Sequence, residues 1–132
     1  MTTFFLAPVE PDKWSKKKSD LLIDFKWFRE RLQDEWPLAR IRIPGETKNI
    51  LLWWQLPPEK DGNALTGGLQ ANKQIVSFET GPRRSFIKFV LWYRDFVSDT
   101  YQLFLFNDSQ EAVLEITDDT LEKDIERFVK FT

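Results

Sequence analysis

The chain contains no histidine and no cysteine. Without an imidazole there is no Ser-His-Asp or Cys-His nucleophile, no histidine acid–base catalysis and no imidazole metal ligand. Without a thiol there are no disulfides and no thiolate metal sites, although the redox compartment stays open. Glycine is scarce, with five in all, and none stands in GxGxxG or GxxxxGK[ST] order. Thr66-Gly67-Gly68 therefore reads as a piece of loop and not as a phosphate cradle. No run approaches the roughly 18 apolar residues of a membrane helix, so no membrane partner is expected. The opening MTTFFLAPVEPDKW has too short an apolar part for a secretory signal and lacks a leading positive charge. A cytoplasmic location is the expectation. Neither charge sign dominates: 19 Lys and Arg face 21 Asp and Glu, a net charge of −2, which disfavours a general nucleic-acid footprint.

Aromatic rings are abundant instead. Twelve Phe and six Trp occur in 132 residues, and each large ring buries roughly 150–250 Å² when enclosed. They must fill an aromatic core or form an aromatic surface site. Hydrophobic residues at 42% and charged residues at 30% are ordinary for a globular chain and exclude general disorder. The length suits one α+β domain over residues 1–132.

Periodicity predicts a helix from Ser19, where Leu21, Phe25, Phe28, Leu32 and Trp36 recur at steps of three and four. Ser19 and Asp20 suit its start, and Pro37 ends it near Glu35. Ile23 and Trp27 lie off the stripe, and the Phe4-Phe5-Leu6 segment is expected to fold over them. The period then changes to two. Ile41 and Ile43 alternate with Arg40 and Arg42 in an edge strand, hairpinned to ILLWWQL, whose two apolar faces place it inside a sheet. Residues 57–74 read as a long flexible loop with a short hairpin around Asn72 and Lys73, or as a lid. QIVSFET, a two-stranded hairpin SFIKFVLWYRDFVSDTYQLFLF and AVLEI continue an antiparallel meander. Leu121, Ile125, Phe128 and Val129 mark a C-terminal helix, with Asp118, Asp119 and Glu122 at its positive end. The expected fold is an N-terminal amphipathic helix, a five- or six-stranded antiparallel meander and a C-terminal helix, with both helices on one sheet face.

Two helices leave the second sheet face to be explained. With Ser98 and Asp99 turning the hairpin, Ile87, Phe89, Leu91 and Tyr93 join Phe104 and Phe106 beneath the helices. The other face then carries Phe86, Lys88, Val90, Trp92, Arg94 and Phe96, opposite Tyr101, Leu103 and Leu105. Rings interleaved with cations suit an interface anchor. Phe86, Lys88, Trp92, Arg94 and Tyr101 are accordingly the expected partner- or ligand-binding residues.

Remaining chemistries are thin. Asp108, Glu111, Glu115, Asp118 and Asp119 form the densest acidic stretch, but capping accounts for the last two. Asp12 with Glu46-Thr47-Lys48 loosely echoes metal-dependent nucleases, yet Asp12 precedes a helix and Glu46 lies in a loop, whereas one metal must touch both carboxylates. KWSKKK at 13–18 and Arg83-Arg84 are the basic features, and a lysine run before a helix is commonly a solvated cap. No catalytic residue, metal or cofactor is assigned. The functional expectation is a non-enzymatic protein-interaction or assembly module, a homodimer or bound to another protein. The alternative is a small apolar ligand held between a curved sheet and a helix.

Overall fold

A computed structural model describes residues 2–13, 16, 18–44, 49–79 and 81–132. In chain order the elements are β1 (Thr3–Ala7), α1 (Phe25–Glu35), β2 (Arg40–Arg42), β3 (Ile50–Gln55), β4 (Thr66–Gln70), β5 (Val76–Glu79), α2 (Arg83–Phe96), β6 (Phe104–Asn107), β7 (Val113–Glu115) and α3 (Glu122–Lys130). The architecture is α+β, with the seven strands in one antiparallel sheet ordered β2-β3-β4-β5-β1-β6-β7.

Local chemistry explains where the helices begin. Asp24, not Ser19, caps α1, its carboxylate accepting the Trp27 N–H at 2.7 Å. Residues before it are held extended, because the Ile23 N–H donates to the Lys73 carbonyl at 2.7 Å and the Gln74 amide to the Ser19 carbonyl at 2.7 Å. Leu21 and Ile23 are thereby buried without being helical. The helix ends at Glu35 as expected, one residue before Trp36 and Pro37.

The largest departure from the sequence reading is α2. Residues 83–96, expected to be the first strand of a hairpin from Ser85, are helical. Phe86, Phe89, Tyr93 and Val97 are buried at steps of three and four, one stripe of a helix, and Ile87 and Val90 widen it. Among the described residues, Phe25–Glu35, Arg83–Phe96 and Glu122–Lys130 therefore give three α-helices instead of two, and the sheet has seven strands instead of five or six.

Phe4, Leu6, Leu52, Trp54, Leu69, Val76, Phe78 and Leu105 alternate onto one sheet face. They share a core cluster with Phe28 and Leu32 of α1, Phe86, Phe89 and Tyr93 of α2, and Ile125 of α3. All three helices thus serve one face. Trp54 and Phe89 stack at its centre with centroids 4.3 Å apart. On the reverse face Ala7, Phe104 and Phe106 form a smaller cluster with Phe5 and Ile75.

Two positions differ further from expectation. Phe4-Phe5-Leu6 does not lie over Ile23 and Trp27; it belongs to β1, between β5 and β6. Within the expected 57–74 loop stands β4, whose glycines face tryptophans across the ladder: Gly68 opposite Trp53 and Gly67 opposite Trp54. A Cβ on Gly67 would run into the Trp54 indole and stand 2.5 Å from the Ser77 carbonyl oxygen. On Gly68 it would meet the Trp53 ring at 3.1 Å. One indole therefore lies over each glycine, on opposite faces of the sheet. Tight approach, not loop freedom, is the reason for this pair.

Candidate functional site: the β2–β4 end of the helix-free face

The site starts from an edge. β2 pairs only with β3, setting Arg40 opposite Gln55, Ile41 opposite Trp54 and Arg42 opposite Trp53. Alternation sends Ile41 toward the helices and both arginines to the reverse face. On that face Gln55 is opposite Thr66 of β4, and Trp53 leans over Gly68. Arg40, Arg42, Trp53, Gln55 and Thr66, with Ile41 and Trp54 at the rim, line an open concavity of about 660 Å³.

Its chemistry has one sign. Among the described residues no carboxylate lines it. Arg40 and Arg42 are exposed, and neither guanidinium has an ion-pair or hydrogen-bond partner among the described residues. Trp53 is half-buried, offering an indole edge beside a guanidinium. Two planar cations, an aromatic ring, an amide and a hydroxyl can together bind carboxylates through forked N–H donors and pack an apolar stem against the ring. Leu38 and Ile43, just outside the two ends of β2, are 80% and 53% exposed, which adds apolar surface to the edge.

The residues expected from sequence to form the site are dispersed. Phe86 is in the core, edge-on to Phe4 at 4.9 Å and near Phe78 at 5.0 Å. Lys88 is exposed beside a hollow of about 460 Å³ between α2 and α3, where Arg83 pairs with Glu126 at 3.6 Å. Trp92 is half-buried, wedged against Phe28 of α1 at 5.8 Å, Trp36 at 5.5 Å and Phe96 at 5.5 Å. Arg94 donates from one Nη1 to the carbonyls of Thr117 and Thr120 at 3.2 and 3.0 Å. Tyr101 lies beyond the end of α2, where partial burial and the neighbouring Asp20 carboxylate push its phenol above the usual range. Of the five, only Arg94 and Tyr101 share a hollow, and at about 210 Å³ it is smaller than ordinary ligand clefts. An aromatic and cationic sheet face over 86–96 does not exist, because helical spacing sends Phe86 and Trp92 inward and disperses the cations.

Other expectations resolve as follows. Glu46-Thr47-Lys48, with Trp14, Ser15 and Lys17 of the basic run, lie outside the described residues. Lys13 is paired with Glu10 at 3.5 Å. Asp118 and Asp119 are exposed in a turn that precedes α3, and the residue meeting that helix's first N–H groups is Asp124, which accepts from the Leu121 N–H at 2.8 Å. Among the described residues no cluster of Asp or Glu is arranged to hold a metal ion, and no helix is long and apolar enough to cross a membrane.

Arg40, Arg42 and Trp53 are not among the residues expected from sequence, because strand alternation alone does not mark them as a site. The usable signal was the hairpin itself, since pairing ARIRI with LLWWQL across a short loop sets an Arg beside an exposed Trp. No family model, curated protein or solved structure matches the chain. The chemistry of the site rests on its own residues.

Proposed function

We propose that the protein is a non-enzymatic binding module that engages another protein through the β2–β4 end of its helix-free sheet face. The observation that carries this reading is the grouping of Arg40, Arg42, Trp53, Gln55 and Thr66 around one open concavity that no acidic residue lines among the described residues. Arginine beside an aromatic ring is the composition of interface anchors. Exposed guanidiniums without partners among the described residues are available to carboxylates from outside.

The homodimer expected from sequence loses its support with the strand at 86–96. At β2 a two-fold pairing of copies would set Arg40 of one against Arg42 of the other, a like-charge cross-strand contact. A different, acidic protein fits better. The apolar-ligand alternative needs space between sheet and helix. Among the described residues Trp54, Phe78, Phe86, Phe89 and Tyr93 fill that space, each at most 2% exposed.

A photoreactive residue placed at Thr66, which lines the concavity, tests the reading in the cell that makes the protein, with one at exposed Glu30 of α1 as control. We expect a defined adduct with a second protein from position 66 that is absent from position 30. It should vanish in an Arg40→Glu/Arg42→Glu background. Equal labelling from both positions, or an adduct indifferent to the double change, overturns the proposal.

A further inference from the structure

We propose that the partner supplies an extended acidic segment that adds to the sheet as a strand beside β2, with acidic and apolar side chains in alternation. This inference rests on the binding face proposed above and names its occupant.

Three observations lead to it. First, β2 is the end of the sheet and pairs on one side only. Its outward backbone groups have no hydrogen-bond partner among the described residues. Such a row of donors and acceptors is the template that added strands use. Second, β2 is chemically two-sided: Arg40 and Arg42 project to the helix-free face while Ile41 projects to the core side. A strand lying against it must alternate in step, because side chains along any strand change face at each residue. Acidic side chains would meet the guanidiniums, and the residue between them would sit against Ile41 and the exposed Leu38 and Ile43. Third, the charges select as well as attract. They oppose a second copy of β2 and favour a carboxylate-bearing strand, so one feature protects the edge from its own kind and sets partner choice.

Nucleic acid would also seek arginines and an indole. Single-strand platforms stack successive bases on several rings. Here the rings lining the concavity are Trp53 and the 2% exposed Trp54, and among the described aromatics of the reverse face Phe104 and Phe106 are only 5% and 6% exposed, with Phe5 stacked on Phe106. The free backbone edge has no role in that mode. A peptide strand uses both features.

The test uses the full chain and blocked synthetic peptides. An alternating Glu-Val-Glu-Val-Glu peptide is compared with a block-ordered Glu-Glu-Glu-Val-Val peptide, a Lys-Val-Lys-Val-Lys peptide, an alternating peptide N-methylated at its valines, and a single-stranded DNA oligonucleotide. Binding is read by NMR titration and by hydrogen exchange at the amides of Arg40–Arg42. We expect the alternating acidic peptide to slow exchange at β2, not at β7, and to bind at least about tenfold tighter than the block, basic and N-methylated forms. In Arg40→Glu/Arg42→Glu the preference should invert toward the basic peptide. That inversion separates a lost contact from a lost fold. Equal binding of the block or N-methylated peptide, no protection at β2, or tighter binding of the oligonucleotide overturns the strand mode. An adduct from position 66 together with no protection at β2 removes the strand and leaves the binding face standing. Loss of both removes both.

Discussion

At the scale of single residues, the core holds two polar atoms that its rings do not satisfy. Trp54 Nε1 and Tyr93 Oη are buried, and neither has a hydrogen-bond partner among the described residues. A buried hydroxyl without a partner costs about 1–3 kcal/mol relative to solution, and removing it can be neutral or stabilising. Burial also pushes the Tyr93 phenol upward from its ordinary value of 10.0. The sign of the resulting linkage is definite. Above pH 10 the unfolded phenol ionises while the folded one keeps its proton, so the folded state binds more protons and stability falls as pH rises. The slope from this one group reaches at most about 1.36 kcal/mol per pH unit. We therefore expect Tyr93→Phe to raise stability by about 1 kcal/mol at neutral pH, and to lose less than the parent does as pH rises past 10. Urea unfolding of both proteins along that alkaline series decides the matter. Parallel stability curves would mean that the phenol titrates in the folded protein as it does in the unfolded chain, and is therefore reached by water.

At the scale of elements, Arg94 shows how a residue expected to meet a partner is occupied inside the fold. From the last turn of α2 it reaches the carbonyls of Thr117 and Thr120, the turn that carries the chain from β7 into α3. That turn is further closed by the Thr117 N–H donating to Thr120 Oγ1 at 2.8 Å. Arg94→Ala should cost about 1–2 kcal/mol, since water can replace part of a half-exposed contact. The loss should be local. Amides of Ile125 and Phe128 in α3 should exchange faster, while Leu6 and Leu105 in the sheet keep their protection. Uniform acceleration across both would show that Arg94 supports the whole core. Legibility divides along the same elements. α1 beyond Asp24, the β2–β3 hairpin, β5, β7 and α3 each have one clear period and could be read from sequence. Residues 83–96 are apolar except for Arg83, Arg84, Ser85, Lys88, Arg94 and Asp95, a pattern that fits a strand buried on most of both faces as well as a helix with one narrow polar side. Length was the available arbiter, because a largely apolar stretch from Phe86 to Val97, interrupted by Lys88, Arg94 and Asp95, exceeds an ordinary strand. β4 was hidden by Gly67 and Gly68, whose reason is two indoles on the neighbouring strand. β1 was hidden because the segment is only five residues long and pairs with strands far along the chain. The candidate site was missed for the same cause: its location follows from the faces of the sheet, and those faces were drawn around the wrong strand.

At the scale of the molecule, the two outer strands have different chemistry. β2 carries Arg40 and Arg42 on the helix-free face, whereas β7 carries Val113 and Glu115 there. A two-fold axis at the β2 edge would keep both sets of helices on one side and bring Arg40 of each copy against Arg42 of its mate. Cross-strand charge pairs are worth roughly 0.2–1 kcal/mol each, attractive or repulsive by sign. Reversing one charge should therefore reverse the behaviour of the edge. In Arg42→Glu, an introduced carboxylate faces Arg40 of the other copy at both ends of the pairing, and we expect a concentration-dependent dimer in sedimentation. The parent and the Arg40→Glu/Arg42→Glu protein, each with like charges across the axis, should remain single chains. The dimer should weaken with added salt, because the pairs are exposed and screened. Identical sedimentation of all three proteins would show that the β2 edge is closed to any added strand, and the binding mode proposed for it would fall. Open-ended growth of the parent would point instead to β7 of a neighbouring copy as the strand β2 accepts, since a head-to-tail contact between unlike edges does not close on itself.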